Sequence, residues 1–291
     1  MNLCDIKTIK QVMAMFGIHF RKEFGQNFLT NSMVVEDIAD RCCDSPHSTI
    51  LEIGPGIGSL TRELAERYDQ VVALEIDRGL IPVLKYTLEK HSNVTVINED
   101  VMKADLEGIL APYFEKGPVS VCANLPYYIT TPILMRLLES GLPFSHITIM
   151  IQEEVADRLC APAGGKNCGA ITAVLNYYGS PEKLFTVTAD HFIPAPKVDS
   201  AVVRIRLHKE KPCRPKHEPT LFRTIHASFE QRRKTLPNAL SAGFGELTKE
   251  ELEGCIARCG HPLNVRGEKL IIEEFTALSN EIYDAIQEKK E

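Results

Sequence analysis

The sequence contains no tryptophan, and only 7% of its 291 residues are aromatic. That makes an aromatic-rich carbohydrate-binding or interface scaffold a poor match. No stretch approaches the ~20 consecutive apolar residues a membrane-spanning helix needs, and the mean hydropathy is −0.10. The N-terminus carries Asp5, Lys7 and Lys10 without an apolar core or a small-residue cleavage site, so it does not read as a secretory signal. The nine cysteines are an odd number and show no disulfide spacing; reduced thiols filling apolar space in a cytoplasmic protein are expected. Cys42-Cys43 reads as helix packing. Cys255, Cys259 and His261 have ligand chemistry, but Cys-x-x-x-Cys-x-His lacks a fourth ligand, and no metal is expected. Neither a phosphate-binding P-loop nor a Ser/His/Asp arrangement is present.

What is present suits a protein of about two ordinary domains with a sizeable core. Hydrophobic residues make up 44%, charged residues 25%, and the formal charge is −6. The charge is uneven. Residues 1–200 carry net −8 and residues 241–291 net −5, whereas residues 201–240 hold 10 basic and 3 acidic residues, net +7. An acidic body with one basic band is a common layout for meeting a polyanion, although charge runs are often only solvated faces.

From about residue 49, short β-rich runs alternate with helical stretches. STILEI (48–53), QVVALEI (70–76), NVTVIN (93–98), VSVCAN (119–124) and HITIMI (146–151) lack polar alternation, as strands buried on both faces do. Their spacing of roughly 20–27 residues fits βα units. After 168, ITAVLNYY, KLFTV and SAVVRIRL lie close together, which predicts antiparallel strands ending the sheet. HKEKPCRPKHEPT (208–220) reads as a linker. Beyond it, Leu221, Phe222, Ile225 and Phe229 recur at helical spacing, and Thr248 to Glu251 forms a capping-box pattern. Leu270, Ile271, Phe275 and Leu278 mark another amphipathic stretch. The expected organisation is α/β, with a catalytic domain at 1–210 and a smaller all-helical domain at 211–291.

The first chemical signal is the run Leu51 to Thr61, LEIGPGIGSLT, in which a β-run enters a loop with glycine at every second position and a helix leaves it. Glycines let the backbone approach a ligand closely. The spacing Gly-x-Gly-x-Gly differs from the Gly-x-Gly-x-x-Gly of dinucleotide sites, which disfavours an NAD-dependent dehydrogenase. Glu75 ends the second run, 21 residues after Gly54, where a carboxylate can accept from ribose hydroxyls. Asp100 ends the third, where one can accept from an adenine amine. The ordered trio resembles the S-adenosylmethionine (SAM) site of class I methyltransferases.

The second signal is Asn124-Leu125-Pro126-Tyr127-Tyr128 after the fourth run. It can be a simple Asn-x-Pro turn before a helix that opens at Thr131-Pro132. Beside a bound cofactor it has a chemical use. The Asn124 side-chain oxygen and the Leu125 carbonyl can accept both hydrogens of an exocyclic amine, and Tyr127 can stack on the base. Adenine N6 is a poor nucleophile because its lone pair is delocalised; two acceptors favour an sp³-like nitrogen aimed at the methyl, without a strong general base. The pattern resembles the amino methyltransferases.

With these motifs the chain resembles the rRNA adenine N6,N6-dimethyltransferases, nearest the bacterial KsgA/RsmA type acting on 16S rRNA. The likeness runs from about residue 20 to 280. It includes Gly25-Gln26-Asn27-Phe28-Leu29, FIPAPKVDS (192–200), FEQRRKTL (229–236) and RGEKL (266–270). The resemblance implies a Rossmann-like SAM-binding sheet with a helical RNA-contacting domain, and dimethylation of two adjacent adenines in a hairpin near the 3′ end of small-subunit rRNA. It implies a cofactor site at Gln26, Asn27, Leu29, Gly54, Gly56, Glu75, Ile76, Asp100, Val101 and Asn124. Asn124, Leu125, Pro126, Tyr127 and Phe192 would form the catalytic set, with Tyr127 and Phe192 flanking the adenine. Arg232, Arg233 and Lys234 would contact RNA phosphates. The implied partner is small-subunit rRNA in a pre-30S particle, met by a cytoplasmic monomer. Glu153, where the family commonly has Lys, and Cys168, where it commonly has Tyr, depart from the pattern. A large-subunit methyltransferase of the macrolide-resistance type and a non-catalytic RNA-binding assembly factor remain as alternatives.

Overall fold

The structure, a computed structural model, describes residues 1–18, 27–162, 164–165, 167–231 and 233–290. The chain divides into two compact units: residues 1–156 with 182–207, and residues 157–181 with 208–291.

The first unit is built on a mixed sheet. Its strands are β2 (Thr49–Ile53), β3 (Gln70–Leu74), β4 (Val94–Ile97), β5 (Val119–Asn124), β6 (Phe144–Gln152), β7 (Gly179–Val187) and β9 (Ser200–Leu207), in the order β4-β3-β2-β5-β6-β9-β7. A separate two-residue pairing joins β1 (Phe28–Leu29) to β8 (Phe192–Ile193). The first five sheet strands run parallel, with a register shift between β5 and β6 at Val119 to Val121, and β6 meets β9 antiparallel. All five residues of β2 are buried, because a central parallel strand has a helix layer on each face. Helices α1 (Ile6–Met15), α2 (Ser32–Asp40), α3 (Ser59–Arg67), α4 (Ile81–Thr87), α5 (Leu106–Phe114) and α6 (Thr130–Glu139) complete the unit. The β-rich runs expected at 48–53, 93–98, 119–124 and 146–151 are strands; in the 70–76 run the strand ends at Leu74, and Glu75 just beyond it still donates its N–H to Ile97 O at 3.0 Å. Cys42 and Cys43 lie just beyond the end of α2, and both thiols are buried in a core cluster with Val35, Ile38 and Ala39 of that helix.

After β6 come α7 (Glu153–Leu159) and α8 (Ala170–Tyr178), and the second unit continues with α9 (Glu218–Glu230), α10 (Leu236–Gly243), α11 (Lys249–Arg258) and α12 (Ile272–Glu288). α8 corrects the strand expected at ITAVLNYY. Its β-branched and aromatic composition suggested a strand, but Gly169 N–H donates to Thr172 Oγ1 at the helix entry, and Thr172 to Leu175 with Tyr177 are buried. Tertiary burial outweighs the small propensity penalty. In α11, Thr248 and Glu251 form the reciprocal capping box that the sequence predicts.

Candidate active site

Four adjacent parallel strands, β4-β3-β2-β5, end at one edge of the sheet. β2 lies between β3 and β5, which the chain reaches by opposite crossovers, and α/β sheets bind ligands at the carboxyl ends of strands beside such a switch. A cavity opens here. Its lining includes Asn27, Phe28, Leu29, Gly54, Gly56, Glu75, Ile76, Asp100, Val101, Asn124, Leu125, Pro126 and Tyr127.

The glycine loop follows β2 directly. Gly54 has φ +71° and Gly56 φ +62°, a left-handed conformation that costs an L-residue with a Cβ. A Cβ at Gly54 would meet no protein atom within 4 Å, whereas one at Gly56 would lie 2.9 Å from Phe28 Cε1. One glycine therefore leaves cavity space open and the other lets an aromatic wall close in.

Glu75 sits just past β3 and is 3% exposed. Its Oε2 accepts from Gly56 N–H at 3.1 Å and its Oε1 from Asp77 N–H at 2.8 Å. The carboxylate thus braces the glycine loop while keeping further lone pairs for a ligand. Burial pushes its pKa up to about 7, although those backbone donors pull the other way. Asp100 Oδ1 accepts from Met102 N–H at 2.9 Å, fixing the turn after β4.

Glu52 is not among the site residues that the sequence predicts. It lies within β2, 2% exposed, and lines the same cavity. Its Oε2 and the neighbouring Thr61 Oγ1 have no hydrogen-bond partner among the described residues, and burial pushes the carboxyl up to about 8. A lone Glu in the otherwise apolar run TILEI was the available signal.

At the end of β5, Asn124 Nδ2 donates to Asn27 O at 3.2 Å. This ties down the amide's donor side and leaves Oδ1, an acceptor only, for a substrate donor. Tyr127 O–H pairs with Ser200 Oγ at 2.7 Å, which anchors the ring at the cavity rim. Tyr128 lines the cavity and is largely exposed.

Phe192 is not among the cavity-lining residues. It is 5% exposed, on β8 opposite Leu29 of β1, in a core cluster with Leu29, Val35 and Cys122. Gly25, Gln26 and Arg232 fall outside the described residues. Arg233 and Lys234 are exposed, in a turn after α9, and form no ion pair among the described residues. Much of the remaining basic band is neutralised internally: Lys211 pairs with Glu218, Lys216 with Asp284 and Arg223 with Glu246, each at 2.5 Å. Glu153 pairs with Lys183 at 2.9 Å, and Cys168 is buried. His261 lies 3.8 Å from Glu274, and no group of three His, Cys, Asp or Glu side chains among the described residues is arranged to hold a metal.

The ribosomal RNA adenine dimethylase family model matches residues 17–282. The ribosomal RNA small subunit methyltransferase A of Alkaliphilus metalliredigens is 45% identical over 273 residues, 94% of this chain and 95% of its own. Among solved structures, the 23S rRNA methyltransferase ErmE is 25% identical with a TM-score of 0.68, covering 88% of this chain and 99% of its own. A dimethyladenosine transferase from Plasmodium falciparum has a TM-score of 0.71 at 23% identity, over 86% of this chain and 95% of its own. The sheet-edge cavity, the motifs that line it and a match over nearly the whole sequence agree: the chain belongs to the ribosomal RNA adenine dimethylase family.

Proposed function

We propose that this protein transfers methyl groups from SAM to N6 of adenine in small-subunit rRNA, and that its target is two adjacent adenines in a hairpin near the 3′ end, each methylated twice. The observation that carries the reading is the convergence of Asn124, Leu125, Pro126 and Tyr127 with Gly54, Glu75 and Asp100 on one cavity. The 45% identity to a small-subunit enzyme, against 25% to a large-subunit one, supports the choice of rRNA.

The residues fit SAM. The open space above Gly54 admits a ligand against the backbone, and Glu52, whose Oε2 has no partner among the described residues, would accept from a ligand donor there. Glu75 would accept from ribose hydroxyls, and Asp100, beside Val101 and Ile76, from the cofactor's adenine. When bound, the cofactor supplies an electrophilic methyl on a sulfonium. Asn124 Oδ1 and the Leu125 carbonyl would each accept one hydrogen of the target amine, directing its lone pair at that carbon. These residues would hold the amine and stabilise the charge developing on it by position and electrostatics, without a strong general base.

A stacked base cannot reach such a cavity, so the adenine must be unstacked or single-stranded. Tyr127, held by Ser200, and the exposed Tyr128 are the aromatic faces at the rim. Phe192 would join them only if it left its core cluster. We assign RNA phosphate contacts to Arg233, Lys234 and Arg232, and the contacting role to the helical segment at 211–291. The decisive experiment is incubation with labelled SAM and immature small subunits, followed by mapping of the modified nucleotides. Dimethyladenosines at two adjacent positions of the small-subunit rRNA are expected; label in large-subunit rRNA only, or binding without transfer, would overturn the proposal.

A further inference from the structure

The cavity has two walls that come from distant parts of the sequence. One is the turn after β4, carrying Asp100 and Val101, and the other is the segment from Leu125 to Ile133. The first wall is a single helical turn: Lys103 and Ala104 N–H groups both donate to Asp100 O, at 2.8 and 2.9 Å. A lone turn has few backbone hydrogen bonds of its own and is a weak unit by itself. The second wall is firm. Ile129 N–H donates to Pro126 O at 3.1 Å and Ile133 N–H to Ile129 O at 3.0 Å, so the turn after the Asn-Leu-Pro-Tyr motif runs straight into α6.

Arg136 joins the two walls. It lies three residues after the cavity-lining Ile133 on α6, so both project from the same helix face. Its Nε donates to Val101 O and its Nη2 to Ala104 O, both at 2.7 Å. No carboxylate pairs with this guanidinium among the described residues. Its planar fork is instead used on two carbonyls of the Asp100 turn, Val101 O and Ala104 O, the second of which also accepts from Leu106 N–H at 3.0 Å, with the geometry that distinguishes Arg from Lys.

Resting on the SAM reading of this cavity, we propose that Arg136 is a positioning residue: it sets the spacing between the wall that receives the cofactor's adenine and the wall that presents the methyl-accepting amine. It touches neither ligand, and its effect passes through Val101 and Asp100. Because it acts on cofactor placement, it should influence affinity more than the chemical step at saturation.

The test uses the full chain carrying Arg136→Met, which keeps the stem and removes every donor, and Arg136→Lys, which restores one donor. S-adenosylhomocysteine is the calorimetric probe, and SAM with immature small subunits gives KM and kcat. Arg136→Met should weaken S-adenosylhomocysteine binding and raise the KM for SAM by about tenfold, the scale of losing charge-assisted hydrogen bonds that fix a geometry. Its kcat should stay within about twofold, and Arg136→Lys should fall between Met and parent. Hydrogen exchange of the Lys103 and Ala104 amides should quicken in the Met variant. Unchanged affinity and KM in Arg136→Met would overturn the inference, as would a fall in kcat at unchanged KM. Should the Met variant not fold, Arg136→Lys decides: weakened binding supports the role and parental binding overturns it. Failure of the parent chain to bind S-adenosylhomocysteine would instead remove the cofactor reading itself.

Discussion

Two carboxyls buried in one cavity wall carry opposite duties. Glu75 is satisfied by the Gly56 and Asp77 amides, so its removal takes away both a ligand contact and the brace on the glycine loop. Glu75→Ala should therefore weaken S-adenosylhomocysteine binding by at least the ~1.5–3 kcal/mol of one charge-assisted hydrogen bond, read by calorimetry on the folded variant. Asn124→Ala should behave differently, cutting single-turnover methyl transfer by ~10²–10³ with a much smaller change in cofactor affinity, because its acceptor acts in the transition state. Glu52 makes a pH prediction. Its pKa is raised to about 8 by burial, above an unfolded carboxyl's value, so the folded state holds a proton that the unfolded state has lost. Its contribution to stability is full at about pH 4 and is lost as pH rises to about 8, an effect on the order of a few kcal/mol. Ligand-free Glu52→Gln should thus lose less thermal stability between pH 5 and 9 than the parent. Parallel melting curves across that range would refute the assignment. Glu75 and Asp100 were legible in the sequence because strand ends in α/β sheets are where ligand carboxylates stand. Glu52 was not, because a residue inside a strand reads as part of its apolar run until its burial is known.

At the scale of elements, the parallel strands were readable because burial on both faces removes polar alternation, as in the wholly buried β2. α8 was misread for the same reason in reverse: composition favoured a strand, and only the Thr172 cap and its buried face made a helix. Phe192 was a choice between plugging a core and flanking a base, and sequence could not decide it, since pairing with Leu29 is a long-range contact. The N-terminal helix α1 has no motif to announce it, yet it bears on the site. Leu3, Ile9, Val12 and Met13 are buried against Phe28, Ile57, Leu80 and Val83. Phe28 and Leu80 also line the cavity, and Ser59, another lining residue, donates to Leu3 O at 3.0 Å. Ile9→Ala should cost about 2–5 kcal/mol and should weaken S-adenosylhomocysteine binding as well. Ile256→Ala in α11, equally buried in the other unit, should lower stability without moving cofactor affinity. Equal binding by both variants in calorimetry would show that α1 is only a distant support.

For the whole molecule, the linear reading set one boundary near 210, whereas residues 157–181 join the helical unit and the chain then returns to the sheet. Composition locates a proline-rich linker but carries no sign that a segment well before it packs with the helices after it. The basic band shows the same limit. Its net charge of +7 is a property of the sequence, but the structure neutralises Lys211, Lys216 and Arg223 within the unit and leaves Arg233 and Lys234 exposed without such partners among the described residues. An internally paired cation has little to gain from a phosphate, because it must first give up its carboxylate. Counterion release should therefore track the unpaired residues rather than the band's total charge. Neutralising Arg233 and Lys234 to Gln should weaken RNA binding and flatten the slope of log K against log salt by about 0.7–0.9 for each phosphate no longer neutralised by the protein. Neutralising Lys216 to Gln, which frees Asp284, should leave that slope nearly parental. Binding measured across a salt series with small-subunit rRNA separates the cases, and a parental slope in the Arg233/Lys234 variant would make that turn a solvated corner and move the recognition surface elsewhere.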